Sequence, residues 1–457
     1  MIIRKFILLL LISVIAFPAS KPGDLPTDEF ERRRAVLLEE LRELDAVAIL
    51  HAAPVLERNH DVEHPYRQDS DFYYLSSWIY PQSILVLAPR EEGSEKPEVF
   101  LFVQPRKPKM EIWTGPRKGL DEAKALPGIE EAYSYAEYEK FLPKLVSGYN
   151  RLVVSTGNHS EFDSYVNSTL REIRGAPAIV QEAGSLIKSH RLIKSEKEIE
   201  LLQKAIDITG SSLVETFKRI PNLNKEYEVQ AEIEYGFKRQ GSERLGFPCI
   251  VGTGKNATYL HYEDKSGTLK DGDLILMDVG AEWEFYSADI SRTVPVSGKF
   301  SPEQALLYQL VLDAQKAAIE TVKPGAAGRE PHNTAVRVIT EGLIDLGLLE
   351  GDIDALITER EYRKFFMHGT SHWLGLDVHD AGGYTNRDGE PHKLRPGMVL
   401  TVEPGIYISE LEDVDPKWWN IGIRIEDDVL VTKDGHDILS KNIPKEISDI
   451  EALMGGN

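Results

Sequence analysis

Five side chains in the second half of the 457-residue chain, Asp278, Asp289, His372, Glu403 and Glu426, form a hard, oxygen-rich donor set of the kind that binds divalent cations. Each sits in an otherwise apolar stretch. In LILMDVG (274–280) and YSADISRTV (286–294) the two aspartates flank a hairpin whose midpoint is predicted between Trp283 and Glu284, which sets Asp278 opposite Asp289. Opposed side chains on antiparallel strands have Cβ atoms roughly 4.5–5.5 Å apart, so both carboxylates would reach one ion. Unpaired, the two anions would repel each other and lose hydration, a conflict that a divalent cation removes.

Glu403 ends MVLTVE (398–403) and meets Pro404-Gly405, which leaves its carboxylate at a strand end beside a cleft. Glu426 lies in IGIRIEDDVLV (421–431), where alternation puts Arg424 and Glu426 on one face. The alternative for that pair is a solvent-facing salt bridge, which would contribute little. Gly422 admits another backbone or a ligand to the same face. His368, His372 and His379 cluster within MHGTSHWLGLDVHD (367–380), a density suited to metal ligation and proton transfer near neutral pH. Manganese fits the donors best, with zinc, cobalt and iron as alternatives. Two ions roughly 3.5–4 Å apart would activate a shared water, so the residues predict a metal-dependent hydrolase.

The elements that must position these groups follow from periodicity. Residues 28–185 read as a mixed α/β region with strands in AVAIL (46–50), SILVLAP (83–89), VFLFVQ (99–104) and RLVVST (151–156). A boundary falls near 186–195, where Ser195 and Glu198 form a capping box that starts a long helix with Ile199, Leu202, Ile206 and Thr209 on one stripe. A second helix over 226–240 carries Tyr227, Ala231, Ile233 and Phe237. Strand-like segments follow at 248–254, around His261 and in the aspartate hairpin. The order then repeats: Ser301-Pro302-Glu303-Gln304 caps a helix over 305–322 that Pro324-Gly325 stops, a further helix spans 331–346, and strands lie around 365–379, 398–403 and 421–431. Two helices then strands, twice over, predict two related halves of roughly 100 residues each with the metal site between them.

Composition narrows the function class. A net charge of −21 argues against a nucleic-acid partner, which needs clustered Lys and Arg. Of the basic runs, Arg106–Lys109 is one, and Arg32–Arg34 is expected on the solvent side of a helix whose apolar stripe is Phe30, Leu37, Leu41 and Leu44. Arg4 and Lys5 precede an apolar run from Phe6 to Phe17, which reads as an export signal over 1–20 and predicts a periplasmic or secreted protein. An uncleaved N-terminal membrane anchor is the alternative. Cys249 is the only cysteine, so no intramolecular disulfide forms, and its apolar surroundings predict a buried, inert thiol.

The segments LHY (260–262), LMDVGAE (276–282), ADISRTV (288–294), MHGTSHWLGLDVHD, LTVEPGIYI (400–408) and GIRIEDD (422–428) resemble those of the Xaa-Pro aminopeptidases, or aminopeptidase P. HPYRQDSDFYYL (64–75) and EIWTGPR (111–117) extend the likeness through the N-terminal part. The resemblance implies an α+β architecture: a pita-bread (creatinase-like) catalytic domain of two related αα-ββ halves over 189–457, preceded by an α/β domain over 21–188. It implies hydrolysis of the bond between an N-terminal residue and a following proline, by a hydroxide held between two metal ions. Asp278 would chelate one ion, His372 and Glu403 the other, and Asp289 and Glu426 would bridge. Glu403 would act as general base and proton shuttle, and His368 would stabilise the oxyanion. His261, His379 and Arg424 would position the substrate around its proline, with Tyr384 and Tyr407 as further candidates. Asp61 and Trp113 would reach a neighbouring subunit's cleft, implying a homo-oligomer, a dimer or tetramer.

Two features depart from the family pattern: the export segment, and Thr370, where an aliphatic residue is usual. Prolidase, an Xaa-Pro dipeptidase with the same fold and ligands, is the alternative activity, although HWLGLDVHD (372–380) is more similar to aminopeptidase P. Methionine aminopeptidase lacks so large an N-terminal domain. A non-catalytic binding protein of this fold would have lost ligands that are all present here.

Overall fold

Val47 and Ile49 of the strand β1 (Ala46–His51) pack into one apolar cluster, and Ala46, Ala48 and Leu50 into another. This period of two, apolar on both faces, makes β1 a central strand covered on both sides. The computed structural model describes residues 25–91, 93–385 and 389–455, so the export segment expected over 1–20 lies outside the described residues. Around β1 stand β2 (Ile84–Leu87), β3 (Val99–Val103), β4 (Glu131–Ser134), β5 (Arg151–Val154) and β6 (Ile179–Glu182), in the order β4-β3-β2-β1-β5-β6. β1 runs antiparallel to β2 and parallel to β5. The four expected strands are β1, β2, β3 and β5. EAYS and IVQE, which form β4 and β6, bury no side chain fully and carry no apolar pattern.

The helix α1 (Thr27–Glu43) presses Phe30, Leu37 and Leu41 into the core. Its arginines correct an expectation. Arg33 and Arg34 are 5% and 2% exposed, while Arg32 alone stays in water. The Arg33 guanidinium stacks 4.1 Å over the Tyr74 ring and lies 3.2 Å from Glu198, and Arg34 donates to the Leu75 carbonyl at 2.6 Å. The polar side of α1 is covered by the 70–76 helix and by the C-terminal half, which the helix's own period cannot register.

The C-terminal half opens as its caps predict. Ser195 accepts the Glu198 N–H at 3.3 Å and Glu198 accepts the Ser195 N–H at 2.9 Å, starting α2 (Glu196–Arg219). The helix α3 (Glu226–Arg239) buries Val229, Ile233 and Phe237, whereas Tyr227 and Ala231 face solvent, so the true stripe steps by four from 229. The strands β7 (Ile250–Thr253), β8 (Leu274–Val279) and β9 (Ile290–Pro295) form an antiparallel sheet. The second round has α4 (Pro302–Glu320), capped reciprocally by Ser301 and Gln304, and α5 (Glu330–Asp345). Its strands are β10 (Val399–Val402), β11 (Gly405–Ile408), β12 (Ile421–Arg424) and β13 (Asp427–Val431). No described helix is long and apolar enough to cross a membrane.

Four local expectations change. Asp278 pairs with Ser291, not Asp289, because the hairpin turns at Glu284-Phe285, one residue beyond the expected midpoint. Both turn residues have positive φ, 47° and 71°, as a two-residue primed turn requires, yet neither is Gly or Asn. Phe285 stacks on Tyr73 with ring centroids 3.9 Å apart, a tertiary contact that selects the turn. Residues 365–379 form no strand and make one isolated bridge, from Trp373 to Leu400. The segment around His261 is a turn. Finally, 421–431 is two strands: β12 pairs with β11, β13 pairs with β10, and the chain changes partner at Ile425-Glu426.

Candidate metal centre

Several elements converge on one cleft of about 500 Å³. Asp278 comes from β8, Asp289 from the approach to β9, Glu403 from the end of β10, Arg424 and Glu426 from the change of partner between β12 and β13. The turns of 367–380 supply His368, His372 and His379, and His261 comes from the far wall. Asp289 lies two residues before Ser291, the partner of Asp278, so the aspartates are diagonal neighbours on one face and still within reach of each other.

Asp289, His372 and Glu426 each bring one ligand-type atom within 4.8 Å of the others. His372 Nε2 lies 3.2 Å from Asp289 Oδ2 and 3.7 Å from Glu403 Oε1. Its Nδ1 meets the Trp373 carbonyl at 3.1 Å, so the hydrogen-bond network assigns the proton to Nδ1 and aims the Nε2 lone pair at the carboxylates. Burial pushes this imidazole down to about 4, keeping it neutral. Asp278 Oδ1 and Glu426 Oε1 are buried and find no hydrogen-bond partner among the described residues. Burial, then the Glu426 charge, drives the Asp289 carboxyl well above its usual range; burial, then Glu403, does the same to Glu426. Burial raises Glu403 to about 8. A lone pair and orphaned anionic oxygens facing one another are unfavourable alone and suit divalent cations, so the residues fit a metal centre.

A second layer of bonds aims these side chains. Arg424, 3% exposed, donates through Nη2 to Asp278 Oδ2 at 2.7 Å, through Nε to Ser291 Oγ at 2.8 Å and through Nη1 to the Tyr407 hydroxyl at 2.8 Å. Ser291 in turn donates to Glu426 Oε2 at 2.8 Å. The solvent-facing salt bridge between Arg424 and Glu426 is therefore ruled out: both are buried, and the arginine pairs with Asp278. Tyr407 donates to His368 Nε2 at 2.8 Å, and His368 Nδ1 meets the Gly369 carbonyl at 2.6 Å. Burial pushes His368 down to about 3, leaving a neutral ring with both nitrogens engaged. To donate to an oxyanion it must first release Gly369.

Of the remaining predicted residues His379 lines the cleft, while Tyr384, Asp61 and Trp113 do not. His379 sits edge-on to His372 with centroids 4.4 Å apart. Tyr384 stacks on Trp373 outside the cleft lining, and Asp61 and Trp113 are exposed on the N-terminal part, Trp113 at 82%. Gly422 accommodates backbone and not a ligand, since a Cβ there would lie 2.0 Å from the Ala257 carbonyl oxygen. Cys249 is buried and its thiol is pushed up to about 12, as an inert residue requires. Ser291 was legible from its alternation with Asp289 but was not singled out. Neither was Asp428, which accepts the Asp289 N–H at 3.2 Å, nor the apolar wall of Phe247, Pro248, Ile250 and Leu260.

Residues 200–433 match the family model for metallopeptidase family M24, and residues 30–154 match that for the aminopeptidase P N-terminal domain. The chain belongs to metallopeptidase family M24. The Xaa-Pro aminopeptidase of Haemophilus influenzae is 40% identical over 430 residues, spanning 94% of this chain and 98% of the other. A solved structure of Pseudomonas aeruginosa aminopeptidase PepP superposes with a TM-score of 0.90 at 40% identity, covering 95% and 99% of the two chains. A zinc-substituted Escherichia coli aminopeptidase P in complex with product gives 0.90 at 38%, again over 95% and 99%. The M24 region thus has the pita-bread fold, preceded by an α/β aminopeptidase P N-terminal domain.

Proposed function

We propose that this M24 chain is an Xaa-Pro aminopeptidase, releasing an N-terminal residue from peptides with proline second. The observation that carries this reading is the convergence of Asp278, Asp289, His372, Glu403 and Glu426 on one cleft, with buried carboxylate oxygens left unpartnered. The name of the Haemophilus relative supports it. These five residues would hold two divalent ions, manganese by preference for hard donors, with zinc, cobalt and iron as alternatives. When bound, such ions polarise a carbonyl oxygen and bring the pKa of water toward neutrality.

The chain's own groups then have distinct tasks. Glu403 takes a proton from the attacking water and returns it to the departing proline nitrogen. That nitrogen carries no N–H in the peptide and must gain one to leave as a secondary amine. His261 and His379 flank the bound peptide, and the apolar wall takes the pyrrolidine and its neighbour. Arg424 acts through others, fixing Asp278 directly and His368 by way of Tyr407. His368 supplies an oxyanion contact once substrate displaces the Gly369 carbonyl.

On this reading the two domains meet at 188/189, residues 1–20 direct export to the periplasm or outside, and no nucleic acid is bound. Asp61 and the exposed Trp113 complete a neighbour's cleft in a homo-oligomer. The deciding experiment compares an Xaa-Pro-Xaa tripeptide with the matching Xaa-Pro dipeptide on manganese-loaded protein. Preference for the tripeptide is expected. Preference for the dipeptide would convert the assignment to prolidase, and a protein that stays metal-free and inactive would be a binding module.

A further inference from the structure

Glu226, at the first turn of α3, is fully buried and has no task in the reaction described above. Its Oε1 accepts the Thr253 N–H at 2.8 Å and the Asn256 side-chain amide at 2.9 Å, and its Oε2 accepts the Gly267 N–H at 2.8 Å. Backbone bonds reinforce the far anchor: Glu226 N–H to Gly267 at 3.1 Å and Tyr227 N–H to Lys265 at 3.0 Å. One carboxylate therefore clamps both ends of the segment 257–266. Between those ends lie Leu260, His261, Tyr262, Glu263 and Lys265, all of which line the metal cleft.

Two further features show that the clamp is built. Asn256, held by Glu226, passes the restraint on by donating to the Tyr262 hydroxyl at 3.0 Å. Gly267 is required by the same contact, since a Cβ there would lie 2.5 Å from the carboxylate atoms. Charge-assisted bonds to backbone N–H groups are strong and directional, and removing the acceptor would strand buried donors at both ends of the segment.

We infer that Glu226 is a positioning residue that fixes the 257–266 wall, and with it His261 and Tyr262, against the bound peptide. The kinetic part of this inference rests on the proposed peptidase reading; the restraint on the wall does not. Because the segment lines the cleft and carries none of the five candidate metal ligands, loosening it weakens binding of ground and transition states alike, which raises KM and leaves kcat nearly unchanged.

The test uses the full, manganese-loaded protein and three variants. Glu226→Gln turns one acceptor into a donor that faces N–H groups, so one anchor is lost. For an Xaa-Pro-Xaa tripeptide KM is expected to rise about ten-fold with kcat within about three-fold, and metal content is expected to be unchanged. Amide hydrogen exchange should quicken in 257–266 while β8 stays protected. Glu226→Asp, which keeps the charge, should recover part of the KM, and Gly267→Ala should reproduce the KM rise from the opposite anchor even where Glu226→Gln folds poorly. Unchanged exchange in 257–266 would overturn the inference, as would a loss of kcat at constant KM. If the wild type fails to cleave the tripeptide, the peptidase reading falls and the exchange comparison decides the clamp by itself.

Discussion

In its proposed role Glu403 must combine two properties that pull against each other in water, a ligand's negative charge and a base's affinity for a proton. Burial in the metal-free cleft favours the second by raising its carboxyl above the usual carboxylate range. Glu403→Gln keeps a neutral oxygen at the site and removes the base. Turnover of an Xaa-Pro-Xaa tripeptide is expected to fall roughly 10²–10⁴-fold with the melting temperature little changed; near-normal release of the first residue would remove Glu403 from its role. Ser291 carries the second prediction at this scale. Its hydroxyl joins Arg424 Nε to Glu426 Oε2, so Ser291→Ala leaves a buried guanidinium N–H and a ligand oxygen unpartnered. Manganese affinity, titrated into metal-free protein, should weaken roughly 10–100-fold, and an unchanged affinity would make the hydroxyl a bystander. The five acidic and imidazole groups were legible because polar side chains in apolar strands are costly without a purpose. Asp428 was not, because the group it satisfies is the Asp289 backbone N–H, which every residue but proline possesses.

At the scale of elements, strand existence was easier to read than strand partnership. Alternation across 421–431 put Arg424 and Glu426 together correctly, and both do line the cleft, but nothing in that pattern records that β12 and β13 belong to different sheets. The hairpin shows the same limit: its turn is fixed by Phe285 stacking on Tyr73, a contact more than two hundred positions away in sequence. The histidine segment failed for a related reason, since residues 365–379 are held by tertiary bonds such as Thr401 N–H to the His372 carbonyl at 2.9 Å. Gly422 marks where β12 meets the 3-10 segment Gly254–Thr258, with no room for a side chain. Gly422→Ala must push backbone against backbone, so a loss of about 3 kcal/mol is expected, read as a lowered melting temperature. A variant as stable as the wild type would mean that this junction yields freely.

Across the whole molecule, the joint between the N-terminal sheet and the metal-bearing half is rich in arginine. Arg33 reaches Glu198, Arg67 reaches Glu282 at 2.6 Å, and Arg191 reaches back to Asp71 at 2.7 Å while also holding Asp377 at 2.7 Å. A single apolar cluster also spans both halves, from Phe30 and Leu41 to Leu202, Tyr286 and Leu376. Damage to the sheet should therefore lower the stability of the whole, and pH offers a way to apply it. His51, at the end of β1, meets the Ala52 carbonyl through Nδ1 at 2.7 Å and the Tyr135 hydroxyl through Nε2 at 2.9 Å, with the His159 ring 3.7 Å away. Burial, aided by His159 and opposed by the Ala52 carbonyl, holds His51 down to about 4, whereas an unfolded chain titrates it near 6.5. Above 6.5 both states are neutral and the contribution is fully present. Between 6.5 and 4 the unfolded state binds the extra proton, so stability falls as pH falls, by about 3 kcal/mol over the window. His51→Phe abolishes that titration at the cost of two hydrogen bonds. It should be less stable than the wild type at pH 7 and should lose less on acidification to pH 4.5, as read from denaturation midpoints. Equal acid sensitivity in the two proteins would place the acid-labile group elsewhere.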